Sequence, residues 1–415
     1  MISLIFKSLR HRWVTALACV LSIALSTGLF LGIEQVRKSA RESFTDAVSK
    51  ADLLIGARGG SLPLLLYTIF HLGQPINNIK YETFEELSKH SAISWAIPYS
   101  LGDSYKGHRV VGTNQSLFEH YQFRGDQKIQ LKEGRIFQRP DEVVIGSVVA
   151  KNQKLKVGDP IVLTHGVSSE GIFNHEATPF KVVGILKATS TPIDKALFVQ
   201  LEGIELLHVG WEGGVPPSEE IKLTEEQMNN LKPESITSFL LGLKSRMMVL
   251  RFRSVIDQYE KEPLTAIIPA LGLQELWNTL GYVENALSLI SLCVLAVGLI
   301  GIFIALYTSL QERRREIALF RAVGAGTRHI FTMLLGESFI LVFSGLILGL
   351  LVNVLGLYLL NNWFMEEFSL FLDFKGLDQS EYIFIGVTLV ASLLAGLIPA
   401  IKAYRQSLQD GLTVL

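Results

Sequence analysis

Cysteine, charge and nucleotide-binding motifs are all scarce in this chain. Two cysteines occur in 415 residues, Cys19 and Cys293, and both fall inside apolar runs. The long polar region between them therefore has no disulfide, and cysteine use does not assign its compartment. Charged residues make up 19%, below the roughly 25% of soluble domains. Lys and Arg number 38 against 39 Asp and Glu, a formal net charge of -1, which speaks against nucleic acid as a partner. No Walker A spacing is present, so these residues are not expected to hydrolyse ATP. His175-Glu176 is not followed by a second histidine at metalloprotease spacing, and no Gly-x-Ser-x-Gly elbow or Cys/His cluster is present. None of the nine histidines is singled out as a ligand, and no metal site is expected. The apolar runs hold very few ionisable residues, which argues against a proton-coupled carrier.

What the chain does have is apolar length, with a mean hydropathy of +0.34. Residues 13–33 are apolar over about the length that crosses a bilayer. Ala16-Leu-Ala-Cys19 resembles a lipoprotein processing site only faintly, since the run continues well past Cys19; an uncleaved first span is expected. Before it, residues 1–12 carry Lys7, Arg10 and Arg12 among Ile2, Leu4, Ile5, Phe6 and Leu9. Two readings are open for them, an amphipathic surface helix or a positive flank that sets orientation. Gly28 and Gly32 have GxxxG spacing, which serves either packing within one subunit or a dimer contact. Further spans are expected at 285–309, 331–360 and 381–401. The chain from 274 to 309 reads as one helix of about 54 Å, longer than the ~30 Å hydrocarbon core. Gln274, Glu275, Asn278 and Glu284 put its excess outside as a stalk, paired with a stalk after the first span. Trp277 and Tyr282 suit interface anchors. Residues 361–380 are acidic and short, and Lys402 and Arg405 begin a cytoplasmic tail at 402–415. Glu337 is expected near the cytoplasmic end of its span; an intramembrane carboxylate is a functional candidate, and the preferred, plainer reading has it reach the interface and pair with an arginine of the loop.

Residues 34–284 form one long polar region with stalk segments at its ends. Alternating or β-branched runs at 92–105, 108–113, 142–145, 160–164, 180–186 and 196–200, bounded by Gly, Pro and Asp, read as strands. Residues 81–89 read as a short helix. A second part after the Gly/Pro-rich loop at 210–218 has a strand at 236–243, a helix at 246–259 and a strand at 264–268. The fold class is therefore a helical membrane protein with four transmembrane helices and a large mixed α/β domain on helical stalks. Within that region Gly56-Ala-Arg-Gly-Gly-Ser61 precedes an apolar run of about 11 residues at 62–72, too short to span a membrane. Leu64, Leu65, Leu66, Tyr67, Ile69 and Phe70 are read first as a buried core helix. The second reading makes them a lipid or substrate contact.

The densest signal is the stretch Gln311-Glu-Arg-Arg-Arg-Glu-Ile-Ala-Leu-Phe-Arg-Ala-Val-Gly-Ala-Gly-Thr-Arg-His-Ile-Phe331 between two apolar runs. Arg313, Arg314, Arg315, Arg321 and Arg328 put this loop, residues 310–330, on the cytoplasmic side. Ile317, Leu319, Phe320 and Val323 sit among the charges as in a short helix at the membrane surface. Gly324 and Gly326 are expected to turn the chain back into the bilayer. The stretch Glu312 to Ala325 resembles the cytoplasmic loop of the MacB/LolC/FtsX-type ABC permeases. Ala395-Gly-Leu-Ile-Pro-Ala-Ile-Lys-Ala-Tyr-Arg405, followed by Asp410-Gly-Leu, is similar to the end of that family's last helix. The succession Glu133-Gly-Arg, Val-Val-Ile-Gly, a helix, Val-Gly-Asp and Val-Val-Gly-Ile-Leu resembles the periplasmic core domain of MacB-type permeases.

The resemblance implies an inner-membrane permease subunit with cytoplasmic termini and a periplasmic domain. It implies two copies of a separate ABC ATPase and a second permease protomer, identical or related. ATP and magnesium would sit on the ATPase, with no cofactor on this chain. Glu312, Arg313, Arg314, Arg315, Glu316, Ile317, Leu319, Phe320, Arg321, Val323, Gly324 and Arg328 would be the coupling element. The work implied is extraction or export of a lipoprotein, peptide or amphipathic compound from the periplasmic side, with a periplasmic adaptor or lipoprotein as a further partner. A different class of reading fits the same charge pattern: a membrane-anchored sensor or scaffold that binds a periplasmic ligand and recruits a cytosolic protein.

Overall fold

The computed structural model describes residues 10, 12–48, 50–166, 173–174, 178–211, 223–312, 324, 326–368 and 376–409. They form two compact units: Met1–Ser39 with Gly281–Trp363 and Leu372–Leu415, and Ala40–Leu280 with Phe364–Phe371. The helix α1, Trp13–Ala47, contributes residues to both.

The second unit is built on a 12-stranded mixed sheet. Its main strands are β1 (Leu53–Ala57), β2 (Ile93–Tyr105), β3 (His108–Thr113), β4 (Leu131–Gly134), β5 (Glu142–Ile145), β6 (Thr164–His165), β7 (Phe180–Leu186), β8 (Leu197–Gln200), β9 (Ser238–Leu243) and β10 (Leu264–Ile267). The order across the sheet is β10-β1-β9-β2-β3-β8-β5-β7-β4. Two neighbouring pairs, β3 with β8 and β5 with β7, are parallel. The 13-residue β2 joins the two halves, pairing with β9 through its first part and with β3 through its last. Lys106 and Gly107 take positive φ, 46° and 82°, and close the β2–β3 hairpin, as a two-residue turn with the sheet's own twist requires.

The sequence signals place most of these strands within a residue or two. Three differ. Residues 131–134, where the sequence offered only Glu133-Gly-Arg, form β4. Residues 160–164 do not form one strand: Pro160 and Ile161 pair with β7, whereas Thr164 and His165 of β6 pair with β2. A chain that changes partner at a corner carries one apolar run but two ladders. The strand β1 was not anticipated. Leu53, Leu54 and Ile55 are all fully buried, and the run is poor in the β-branched residues that mark a strand.

The apolar segment 62–72 forms the helix α2, Ser61–Ile69. Leu64, Leu65, Tyr67, Ile69 and Phe70 are at most 8% exposed and belong to the main core, with Leu66 packed at its edge. This burial agrees with the core helix read first from the sequence, with Leu66 half-buried. The glycine before the helix has a packing reason. A Cβ on Gly56 would lie 2.5 Å from Leu64 Cδ1, so glycine there lets the Leu64 side chain keep its place against β1.

Short helices punctuate the rest of the sheet unit, among them α3 (Leu201–Leu207), and three long ones close the chain: α4 (Pro269–Glu312), α5 (Thr327–Phe368) and α6 (Gln379–Gln409). Among the described residues three helical stretches are long and apolar enough to cross a membrane: Trp13–Ala47, Pro269–Gly301 and Phe331–Asn361. The fourth expected span lies in α6, whose described apolar stretch Gln379–Ala391 is shorter.

In the first unit α1 is the common neighbour. A Cβ on Gly345 would meet Ile23 Cβ at 2.6 Å, and one on Gly349 would meet the Ala24 carbonyl at 2.8 Å; Gly28 faces Gly349 in return. On another side Gly298 and Gly301 lie against Ser26 and Ser22, and Ser26 Oγ donates to the Val294 carbonyl at 3.3 Å. Phe30 stacks on Phe384 of α6, ring centroids 3.5 Å apart. Gly28 therefore packs within one chain. Glu337 is 4% exposed, inside the bundle rather than at its edge.

The core assignment of α2 has a direct test. Leu65→Ala is expected to cost about 2–5 kcal/mol, read as a lower melting temperature of the purified chain. Leu72→Ala, at a residue 54% exposed, is expected to change stability by less than about 0.5 kcal/mol.

Candidate functional site

The coupling-loop residues fall partly at helix ends that the structure describes. Glu312 is the last residue of α4. Arg313, Arg314, Arg315, Glu316, Ile317, Leu319, Phe320, Arg321 and Val323 lie outside the described residues. Gly324 adopts a left-handed φ of 96°, a conformation that suits glycine at a turn. The chain re-enters a helix at Thr327, where the His329 amide donates to the Gly326 carbonyl at 2.9 Å. Arg328 is exposed on that first turn.

At their other ends, within the second unit, α1 and α4 are held by one core. Ala47, Leu273 and Leu276 are buried in the same cluster as α2, with Phe44, Trp277 and Leu280 packed against it. The Phe44 ring lies 4.6 Å from Phe70 and 5.8 Å from Trp277, edge to face with the indole. Arg41 sits over the same indole at 5.6 Å, within cation–π range. Trp277, read from sequence as an interface anchor, here packs between the two helix ends. The last carbonyls of a helix have no partner within it; the Tyr121 hydroxyl supplies one, donating to the Ala47 carbonyl at 2.6 Å. Burial, followed by the charge of Asp194, pushes the Tyr121 hydroxyl above its ordinary pKa, so it remains a donor. Ser61 Oγ hydrogen-bonds Glu275 near the start of α4, and Asp46 pairs with Arg124 at 3.6 Å.

One grouping was missed by the sequence reading, which selected no histidine. Asp103, His165 and His208 each bring a donor atom to one point, all within 4.8 Å of one another. Asp103 and His165 are directly opposed across the β2–β6 ladder. On its other edge β2 carries a bulge between Leu101 and Ser104, an irregularity that re-aims side chains. Asp103 occupies that bulge and is fully buried. His208 follows the last residue of α3. Gly112 of β3 lets α3 settle, since a Cβ there would lie 2.5 Å from Ile204 Cγ1. The hydrogen bond to the Asp103 carboxylate raises the His165 pKa, against a smaller opposing effect of burial. Residues separated by 62 and 43 positions leave no local spacing motif to read. Asp103 stands in the run 92–105 that was read as a strand, whereas His165 lies one residue past the run 160–164.

The polar neighbourhood extends to Arg109 and His71. Arg109 is buried, feels the charge of Asp103, and donates to the Gly73 carbonyl. His71 has its Nδ1 enclosed although part of the ring edge is accessible.

Comparison with known proteins gives two family matches. Residues 13–230, just over half of the chain, match the MacB-like periplasmic core domain, and residues 288–408 match the FtsX-like permease C-terminal model. The chain is 25% identical over 287 residues to the macrolide export ATP-binding/permease protein MacB of Aggregatibacter actinomycetemcomitans, covering 67% of this chain and 41% of that one. It is 27% identical over 238 residues to the pyoverdine export ATP-binding/permease protein PvdT of Pseudomonas syringae pv. tomato, covering 55% and 32%. The chain thus spans less than half the length of these curated relatives. Among solved structures, the periplasmic region of MacB from Actinobacillus actinomycetemcomitans aligns with a TM-score of 0.34 at 13% identity, covering 56% of this chain and 95% of that one.

His71 sets a pH dependence. Burial, then the Arg109 charge, lowers its pKa from 6.5 to about 4, partly offset by a hydrogen bond with the Pro192 backbone. Between those values the unfolded chain takes up a proton that the folded chain refuses, so stability is full above about pH 6.5 and falls toward about pH 4. The loss from this site is expected to be about 1–3 kcal/mol. His71→Asn keeps the left-handed backbone, φ 56°, within reach of an asparagine. Its melting temperature should fall less than the native one over the same acid range.

Proposed function

We propose, on the premise that the chain belongs to the MacB/FtsX-type family of ABC permeases, that it couples ATP hydrolysis by a partner ATPase to conformational work of its periplasmic α/β domain. The observation that carries the reading is the anchoring of α1 and α4 in one hydrophobic core, by Ala47 and Phe44 from one helix and Leu273, Leu276 and Trp277 from the other. Each of these helices also contains an apolar stretch long enough to span a bilayer. Four spans, with α6 as the last, return the chain to the cytoplasmic side. The loop 310–330 directly continues α4, so a push on it bears on the helix that enters the domain core.

In this reading Phe320, Val323, Ile317 and Leu319 meet the ATPase. The loop arginines fix the side of the membrane, and together with Glu312 and Glu316 they form the polar part of the coupling element. Two ATPase copies and a second permease protomer complete the complex, with ATP and magnesium on the ATPase. The substrate is drawn from the periplasmic side. The named relatives export a macrolide and pyoverdine, and an amphipathic compound, peptide or lipoprotein is the class proposed here. Exposed apolar residues along α4 and α5, among them Leu289, Val297, Leu351 and Leu355, support residence in the bilayer.

The test is co-purification from detergent-solubilised membranes. The native chain is expected to bring down an ABC ATPase, and a Phe320→Asp, Val323→Asp variant to lose at least about tenfold of it, as removal of two interface anchors would. A native chain that brings down no ATPase would favour the sensor or scaffold reading instead.

A further inference from the structure

We infer that Asp103, His165 and His208 form a binding site for one divalent transition-metal ion of the zinc type, which pins β2, β6 and α3 together. The inference stands on the second unit alone and does not depend on the ATPase-coupled reading.

The geometry is that of a ligand set. His165 Nδ1 lies 3.1 Å from Asp103 Oδ1 and 3.2 Å from His208 Nε2, and His208 Nε2 lies 3.8 Å from Asp103 Oδ1. Tetrahedral zinc with bonds of about 2.0–2.1 Å separates its ligand atoms by about 3.3 Å. The three observed edges scatter around that value, so an ion enters at their centre with small side-chain shifts. Imidazole nitrogen and carboxylate oxygen are the donors zinc takes, and three protein donors leave a fourth position for water or a further ligand.

The surroundings set the histidine chemistry. His208 Nδ1 donates to the Ile204 carbonyl at 2.8 Å. That bond fixes the proton on Nδ1 and aims the lone pair of Nε2 at the cluster, which is how metal-bound histidines are ordinarily held. The Asp103 backbone position is fixed on both sides: Gly166 N donates to the Gly102 carbonyl at 3.2 Å, and Thr164 Oγ1 donates to the Ser104 carbonyl at 3.0 Å. The Trp211 ring lies 5.1 Å from His165 and 5.5 Å from His208, giving the cluster an apolar wall. A plain hydrogen-bonded triad would need only one contact per partner. Here His165 Nδ1, a single atom, faces two acceptors at once, the carboxylate oxygen and the lone pair of His208. A metal ion placed among the three replaces that competition with three bonds.

The experiment uses the full-length chain purified in detergent, stripped with a chelator and desalted. It is titrated with Zn2+, followed by melting temperature and metal content, and separately with Co2+, followed by visible absorption. The expected result is one equivalent of metal per chain, a rise in melting temperature with Zn2+, and the intense visible bands of four-coordinate Co2+. His165→Gln and His208→Gln should each lose the metal and the temperature rise while melting like the stripped native chain. Native protein that takes up no metal at micromolar concentrations would overturn the inference. So would variants that bind as the native chain does, since the metal would then sit elsewhere. If both variants fail to fold, the Co2+ spectrum of the native chain decides: only the weak bands of six-coordinate Co2+ would also overturn it.

Discussion

The main core of the second unit is built on one act of burial: two long helices end in the same hydrophobic cluster. Ala47 closes α1 and Leu273 and Leu276 open α4, and all three are enclosed with Leu64, Leu65 and Phe70 of α2. Core packing at interior density does not deform smoothly. A displacement of one helix end must therefore carry α2 and the other helix end with it, or break the contacts. Phe44 wedged between Phe70 and Trp277, with Arg41 above the indole, makes the junction stiff without a disulfide. That stiffness matters for a chain proposed to transmit work, because a loose root would dissipate any push before it reached the sheet.

The first unit solves a different problem. Between apolar helices in lipid there is no gain from removing surface from water, so shape must hold them together. The chain places small residues along α1 and its neighbours: Gly345 and Gly349 on α5 against Ile23 and Ala24, and Gly298 and Gly301 on α4 against Ser26 and Ser22. A Cβ at Gly345 or Gly298 would overlap its neighbour. The GxxxG spacing at Gly28 and Gly32, open in sequence between an internal and a dimer contact, is used internally for Gly28. The outer faces remain apolar and exposed, as at Leu25, Leu292 and Leu355.

Much of this was legible in the sequence, for physical reasons. Apolar length marks a span whatever surrounds it, so three long helices were found. β3, β5, β7 and β8 are buried along nearly their whole length and were placed closely because their Val- and Ile-rich runs are bounded by Gly, Pro or Asp. β1 is buried in the same way, but its run Leu53-Leu54-Ile55 is poor in the β-branched residues that mark a strand. The corner between Ile161 and Thr164 escaped because a change of ladder partner leaves no trace in hydropathy. The segment 62–72 was read first as core, and a strongly apolar helix of nine residues beside a sheet belongs there. Of the candidate site, the arginine-rich loop was plain in sequence as charge between apolar runs. The packing of Trp277 against Phe44 was not, since it joins residues on two helices far apart in the chain.

The Asp103, His165 and His208 cluster is the clearest case of chemistry that only the fold assembles. Each member is unremarkable where it stands: an aspartate in a long strand, a histidine before a glycine, a histidine after a short helix. They meet because three separate devices act together. The bulge in β2 re-aims Asp103, the change of partner after Ile161 lays His165 across from it, and Gly112 lets α3 sit low enough to bring His208 in. Each device carries a cost on its own: a disturbed ladder at the bulge, a broken strand at the corner, a lost side-chain contact at the glycine. A fold that accepts all three at one point concentrates its local irregularity there, and such concentration is the usual mark of a site that binds something. The ligand geometry then narrows the class, because two imidazole nitrogens and a carboxylate spaced as tetrahedron edges suit a metal ion better than an organic ligand.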